Sequence, residues 1–182
     1  MLSEPAAMSA SVDARKRAAL EKSRIRKANE AKRSATPVDV ARENSVEASA
    51  ARAVALYKAG DHAAAIDAFT AALKLQTPGR RATLYKNRAA ARAALEQWEA
   101  CEADLTLALA EAGGAVASRI LLKRCFARGK LERHEDALED ATAAAAAAST
   151  PAERTAAEAQ AARCRVAVRQ DAAELKASAA EG

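Results

Sequence analysis

AGDHAAAIDAFTAAL from Ala59, LEQWEACEADLTLAL from Leu95 and LERHEDALEDATAAA from Leu131 align without a gap, each offset by 36 residues from the one before. His62, Trp98 and His134 share one column. Ala65, Cys101 and Ala137 share a second, and Thr70, Thr106 and Thr142 a third. A fixed period of this length is the signature of stacked supersecondary units, because each unit buries its apolar face only against the next.

Working outward, each period holds two helical segments. Val46 to Ala59 is rich in helix formers, and Ala59-Gly60-Asp61 interrupts it, since glycine readily takes backbone angles a helix cannot use. Ala65, Ile66, Phe69, Ala72 and Leu73 then recur at helical spacing and give one apolar face. Thr77 to Arg80 ends the unit. The same plan predicts helices over Thr83–Leu95 and Trp98–Glu111, then Ser118–Leu131 and Glu135–Ala148.

Of the 182 residues 51% are hydrophobic, but much of that share is alanine and only 3% are aromatic. Burial per residue is therefore modest at about 25 cal/mol per Å² of apolar surface. The three cysteines form no CxxC pair. Cys101 and Cys125 occupy small-residue columns and Cys164 lies near the chain's end, so all three are expected as buried thiols in a reducing compartment. The alanine run from Ala143 is too short and too weakly apolar to cross a bilayer. Cytoplasmic location is expected, with the nucleus as the alternative and no membrane association.

Residues 11–33 carry nine Lys or Arg against three acids and have few apolar anchors. A solvated, partly helical basic arm is expected there, after ten disordered residues. Ser34 to Val40 reads as a linker because Pro37 cannot continue a helix. Thr150-Pro151-Ala152-Glu153 reads as a helix start: a capping hydroxyl, a proline in the first turn and an acid at the positive dipole end. The final helix should run from about 152 to 177, with Ala157, Ala161, Cys164 and Val168 on its inner face.

No catalytic signature is present: no glycine-rich phosphate loop, no GxSxG, no HExxH. Both histidines occupy the same turn column, which points to packing. Acidic residues are expected on solvent-facing positions. The reading is non-enzymatic, with no cofactor and no metal.

The small-residue columns carry a resemblance to the tetratricopeptide repeat, a helix–turn–helix unit of about 34 residues. Ala53, Ala89 and Cys125 match its eighth position, Ala65, Cys101 and Ala137 its twentieth, and Ala72, Ala108 and Ala144 its twenty-seventh. In this register the chain divides into a basic arm and linker (1–45), three repeats (46–79, 82–115 and 118–151) and a capping helix with a short tail (152–182). The resemblance implies an all-α superhelical stack whose first helices line a concave groove. The groove positions are Glu47, Ala50, Ala51, Val54, Tyr57 and Lys58 in the first repeat. The second contributes Thr83, Lys86, Asn87 and Ala90, and the third Arg119, Leu122, Lys123, Phe126 and Lys130. This face is basic with one acid at its edge.

LYKNRAAA (Leu84–Ala91) and SRILLKRC (Ser118–Cys125) are most similar to the co-chaperone members of that family, which grip the acidic C-terminal tails of heat-shock chaperones. In that subset a clamp of lysine, arginine and asparagine holds two carboxylates. Asn87 matches its second-repeat asparagine, and Arg119 and Lys123 match its third-repeat basic pair. Ala50 and Val54 stand where its first repeat carries lysine and asparagine. The resemblance implies a protein-interaction adaptor. Asn87, Arg119, Lys123 and Lys86 would face a carboxylate, while Val54, Tyr57 and Phe126 would pack on an apolar peptide side chain. The alternative is a nuclear or nucleic-acid scaffold acting through the basic arm.

Overall fold

A computed structural model describes residues 37–77, 80–112 and 114–180. Among them are seven helices and no strand: α1 (Pro37–Lys58), α2 (His62–Leu75), α3 (Ala82–Ala94), α4 (Trp98–Glu111), α5 (Gly114–Lys130), α6 (His134–Ala146) and α7 (Pro151–Ala180). The chain divides into two units between Arg42 and Glu43. The described part of the first unit is the opening of α1; the expectations for residues 1–36 lie outside the described residues. The second unit holds the hairpins.

α1 begins earlier than Val46, at Pro37. The proline read above as a break instead opens the helix. Its missing N–H is among those a helix leaves unpaired at its start, and its fixed φ suits the first turn. α7 likewise opens at Pro151 as expected, and extends to Ala180. There the Glu153 N–H donates to Thr150 Oγ1 at 3.2 Å and the Glu153 carboxylate accepts from the Ser149 N–H at 3.1 Å. This reciprocal arrangement satisfies orphan donors at both positions.

The turn inside each hairpin is the same structure three times. Gly60, Glu96 and Glu132, one repeat apart, all take the left-handed conformation, with φ of 85°, 56° and 60°. The N–H groups of Asp61, Gln97 and Arg133 donate back to the carbonyls of Leu56, Arg92 and Arg128 at 2.9–3.0 Å. Such bonds occupy carbonyls the helix end leaves free. Glycine takes this conformation without strain; the two glutamates do not.

The small-residue columns form the core. Ala53, Ala65, Ala72, Ala89, Cys101, Ala108, Cys125, Ala137 and Ala144 are all buried, and so are Phe69, Leu105 and Ala141 in a further column. Short side chains let the helices approach. α1 and α2 share one cluster around Val46, Phe69 and Leu84. α3 packs on α2 and α4, α5 on α4 and α6, and α7 covers α5 and α6. Ala157, Ala161 and Cys164 of α7 are buried as expected, and Cys164 Sγ lies 3.7 Å from Cys125 Sγ. Burial first, then the neighbouring thiol, pushes Cys125 up to about 12.

The acidic residues depart from the expectation of solvent-facing positions. Asp104 and Asp140, again one repeat apart, are buried at 1% and 3% exposure. Arg88 donates to both oxygens of Asp104 at 2.9 and 2.6 Å, and Arg92 lies 2.9 Å from the same carboxylate. Arg124 and Arg128 repeat the pattern on Asp140, at 2.7–2.9 Å and 3.1 Å. Arg88 also donates to Thr70 Oγ1 at 2.9 Å, and Arg124 to Thr106 Oγ1 at 3.0 Å. Each threonine hydroxyl in turn donates to the carbonyl four residues back. A guanidinium therefore ties α3 to α4 and back to α2, and another ties α5 to α6 and back to α4, because its planar fork offers donors in fixed directions. Thr70 and Thr106 of the threonine column take part in this contact. The ladder stops at both ends: Leu56 and Ala68 replace the second arginine and the aspartate in the first repeat, and Gln160 stands where a further arginine would reach Thr142.

Candidate peptide groove

The expected groove residues sit on α1, α3 and α5, and the structure divides them into two groups. Tyr57, Lys123 and Phe126 line a common cavity of about 490 Å³, to which all three repeats contribute. Val54 is half-buried against the first hydrophobic cluster. Asn87 and Lys86 are half-buried on α3, outside the cavity lining. Arg119 is also outside it, and its Nε donates to Glu153 Oε1 at 2.8 Å. The helix start of α7 thus supplies a carboxylate to the arginine read above as a ligand donor. That hydrogen bond, followed by the Ser149 N–H, holds Glu153 below the usual carboxylate range.

The cavity follows from residue size. Ala89, Ala90, Ala93 and Ala94 give α3 a floor with almost no side-chain volume. Trp98, Cys101 and Leu105 of α4 form the back, and Leu122, Lys123 and Phe126 of α5 form the far wall. Lys123 is exposed and makes no ion pair among the described residues; no acid lines the cavity. The Cys101 thiol is pushed up to about 11, by burial first and then by Asp104, with Lys123 opposing. It is protonated near neutral pH and is no nucleophile there.

Sequence reasoning placed Trp98 in the turn column with the two histidines. The structure shows it doing more: its ring meets Phe126 edge-on with centroids 5.8 Å apart. Lys130 Nζ lies 5.9 Å from the Trp98 centroid and 5.7 Å from that of Phe126. Phe126 is 54% exposed and Tyr57 37%. Five aromatic side chains exist in the chain, and three of them line this cavity while Phe69 alone lies among the fully buried ones. The histidines behave otherwise. His62 packs on Tyr57 at 5.1 Å, and His134 Nδ1 lies 2.7 Å from Asp171 of α7. Among the described residues no cluster of acids, cysteines and histidines is arranged to hold a metal, and no helix is long and apolar enough to cross a membrane.

No family model matches the chain. Its fold is that of tetratricopeptide-repeat domains in solved structures. The first such domain of Spaghetti (RPAP3), bound to the HSP90 peptide SRMEEVD, superposes with a TM-score of 0.60 at 22% identity, covering 69% of this chain and 94% of that one. The Arabidopsis OM64 domain gives 0.59 at 27% identity, covering 68% and 97%. The TPR2B domain of yeast Sti1, in its pHsp70 complex, gives 0.58 at 23% identity, covering 69% and 98%.

Proposed function

From this tetratricopeptide-repeat fold we infer that the chain is a non-catalytic adaptor whose groove binds an acidic peptide of a partner protein, and that the partner is a heat-shock chaperone offering its C-terminal tail. One observation carries the reading: an exposed Lys123 ammonium with no carboxylate partner among the described residues stands at an apolar cavity that no acid among them lines. Lysine donates to carboxylates and the cavity accepts an apolar side chain, so an acidic peptide with an apolar residue complements both. The similarity to domains solved with HSP90 and Hsp70 ligands supports a chaperone tail as that peptide.

The test is fluorescence anisotropy with a labelled peptide ending in Glu-Glu-Val-Asp. Saturable binding is expected, weakened by Lys123→Ala about 10- to 100-fold, the equivalent of one hydrogen bond to a charged group. An absence of binding, or an affinity indifferent to Lys123→Ala, overturns the reading. The nine basic residues over 11–33 support a second reading, a scaffold contacting nucleic acid through that arm. It requires that deletion of residues 1–36 abolish partner binding while Lys123→Ala leaves it intact.

A further inference from the structure

We propose that this groove recognises an apolar anchor side chain flanked by an acid within a partner segment, and does not require the segment's free C-terminal carboxylate. The inference rests on the peptide-binding reading above and specifies its ligand.

Three observations lead to it. A terminal carboxylate needs several converging donors, and the groove has few. Ala50 and Val54 of α1 carry none, and Arg119 of α5 is engaged by Glu153. What the groove holds instead is apolar surface. Tyr57, Trp98, Leu122 and Phe126 surround the alanine floor, and the buried Cys101 and Leu105 close the back. Exposed aromatic rings grouped in one concavity mark a binding site more often than loose core.

The charges sit at the mouth. Lys123 lines the cavity, and the Lys130 ammonium rests over the Trp98 and Phe126 rings at 5.9 and 5.7 Å. An ammonium placed over an aromatic face keeps donors free for an incoming oxygen. A carboxylate beside the anchor residue would meet the lysines while the anchor fills the cavity over the alanine floor. Neither contact distinguishes a side-chain carboxylate from a terminal one. The occupant is therefore a segment of a partner protein with a large aliphatic residue next to Glu or Asp. A basic segment is disfavoured by the same two lysines.

Trp98 is the only tryptophan in the chain and stands in the cavity, so its emission reports occupancy without a label. The experiment titrates the full chain with an N-acetylated, C-amidated peptide carrying Leu between glutamates. Its free-acid form and its Leu→Ser counterpart are titrated in parallel. The expected result is a blue-shifted, saturable Trp98 signal, with amide and free-acid affinities within about threefold. Leu→Ser should weaken binding at least about tenfold, as loss of one buried leucine side chain implies. Phe126→Ala should weaken it similarly; Phe126 is exposed, so helicity by circular dichroism should be unchanged. Binding of the free acid alone overturns this inference and leaves the acidic-tail reading standing. Equal binding of the Leu and Ser peptides also overturns it. If none of the peptides binds, and the Glu-Glu-Val-Asp peptide does not either, both readings fall.

Discussion

Asp104→Ala should be among the most damaging single substitutions in the chain. The carboxylate is 1% exposed and receives Arg88 at 2.9 and 2.6 Å and Arg92 at 2.9 Å. Removing it leaves two guanidiniums, 13% and 21% exposed, without their counter-charge. Removing one partner of a buried ion pair costs about 3–5 kcal/mol. The partial exposure of both arginines places the expected loss near the lower end, ~3 kcal/mol, or a fall in Tm of about 6–12 °C for a chain of this size. The first repeat supplies the control, because Leu56 and Ala68 fill the corresponding places there. Copying that solution, Arg92→Leu with Asp104→Ala, removes one stranded charge and adds apolar volume. The double variant should therefore recover about half of the single variant's loss, since a buried pair can be exchanged for apolar residues at little net change. Urea unfolding followed by circular dichroism measures both. A single variant within ~1 kcal/mol of the parent, or a double variant less stable than the single, would refute the view that this ladder clamps the second repeat to its neighbours.

Other consequences follow from single features. Glu96→Gly and Glu132→Gly should each stabilise the chain by ~0.5–1 kcal/mol, because both glutamates hold a left-handed backbone that Gly60 adopts freely; unchanged urea midpoints would contradict this. Glu153→Gln should free Arg119 and tighten binding of acidic peptides about threefold, the effect of adding one exposed ion pair, while weakening the start of α7; an unchanged affinity would show that Arg119 is too distant to contribute. The Cys101 thiol should make stability pH-dependent in the alkaline range. Its folded pKa is raised to about 11, so the unfolded chain releases the proton first and stability falls as pH rises. The contribution, ~3 kcal/mol from the pKa difference, is fully present below pH about 9 and lost on rising through about 11. Urea midpoints of the parent and Cys101→Ala across that range should diverge in slope, and parallel curves would contradict the burial argument.

The fold was legible because packing needs short side chains at fixed places and the period repeats them. The alanine and cysteine columns lie in one register through all three units and all are buried. The break at Ala59-Gly60-Asp61 was visible as well, whereas nothing in the side chains of Glu96 and Glu132 announces their left-handed backbone. What escaped notice was either polar or outside the period. Asp104 and Asp140 looked like surface acids because acids seldom lie fully buried. The clue was that Thr70, Arg88 and Asp104 recur together as Thr106, Arg124 and Asp140, an arrangement no solvated surface requires. Pro37 was misread because proline both stops helices and starts them, and the residues around it do not separate the two roles. The Arg119–Glu153 bond joins a repeat to a helix outside the repeat, so no periodicity could reveal it. Trp98 and Phe126 stand 28 positions apart, and only the packing of α4 on α5 brings their rings together.

Amide chemical-shift mapping with an unlabelled peptide ending in Glu-Glu-Val-Asp tests the groove most directly. The account predicts shifts concentrated on the inner faces of α3 and α5, at Ala90, Ala93, Lys123 and Phe126, together with the Trp98 indole. Shifts confined to α7 or to residues 11–33, or none at saturating peptide, would contradict it.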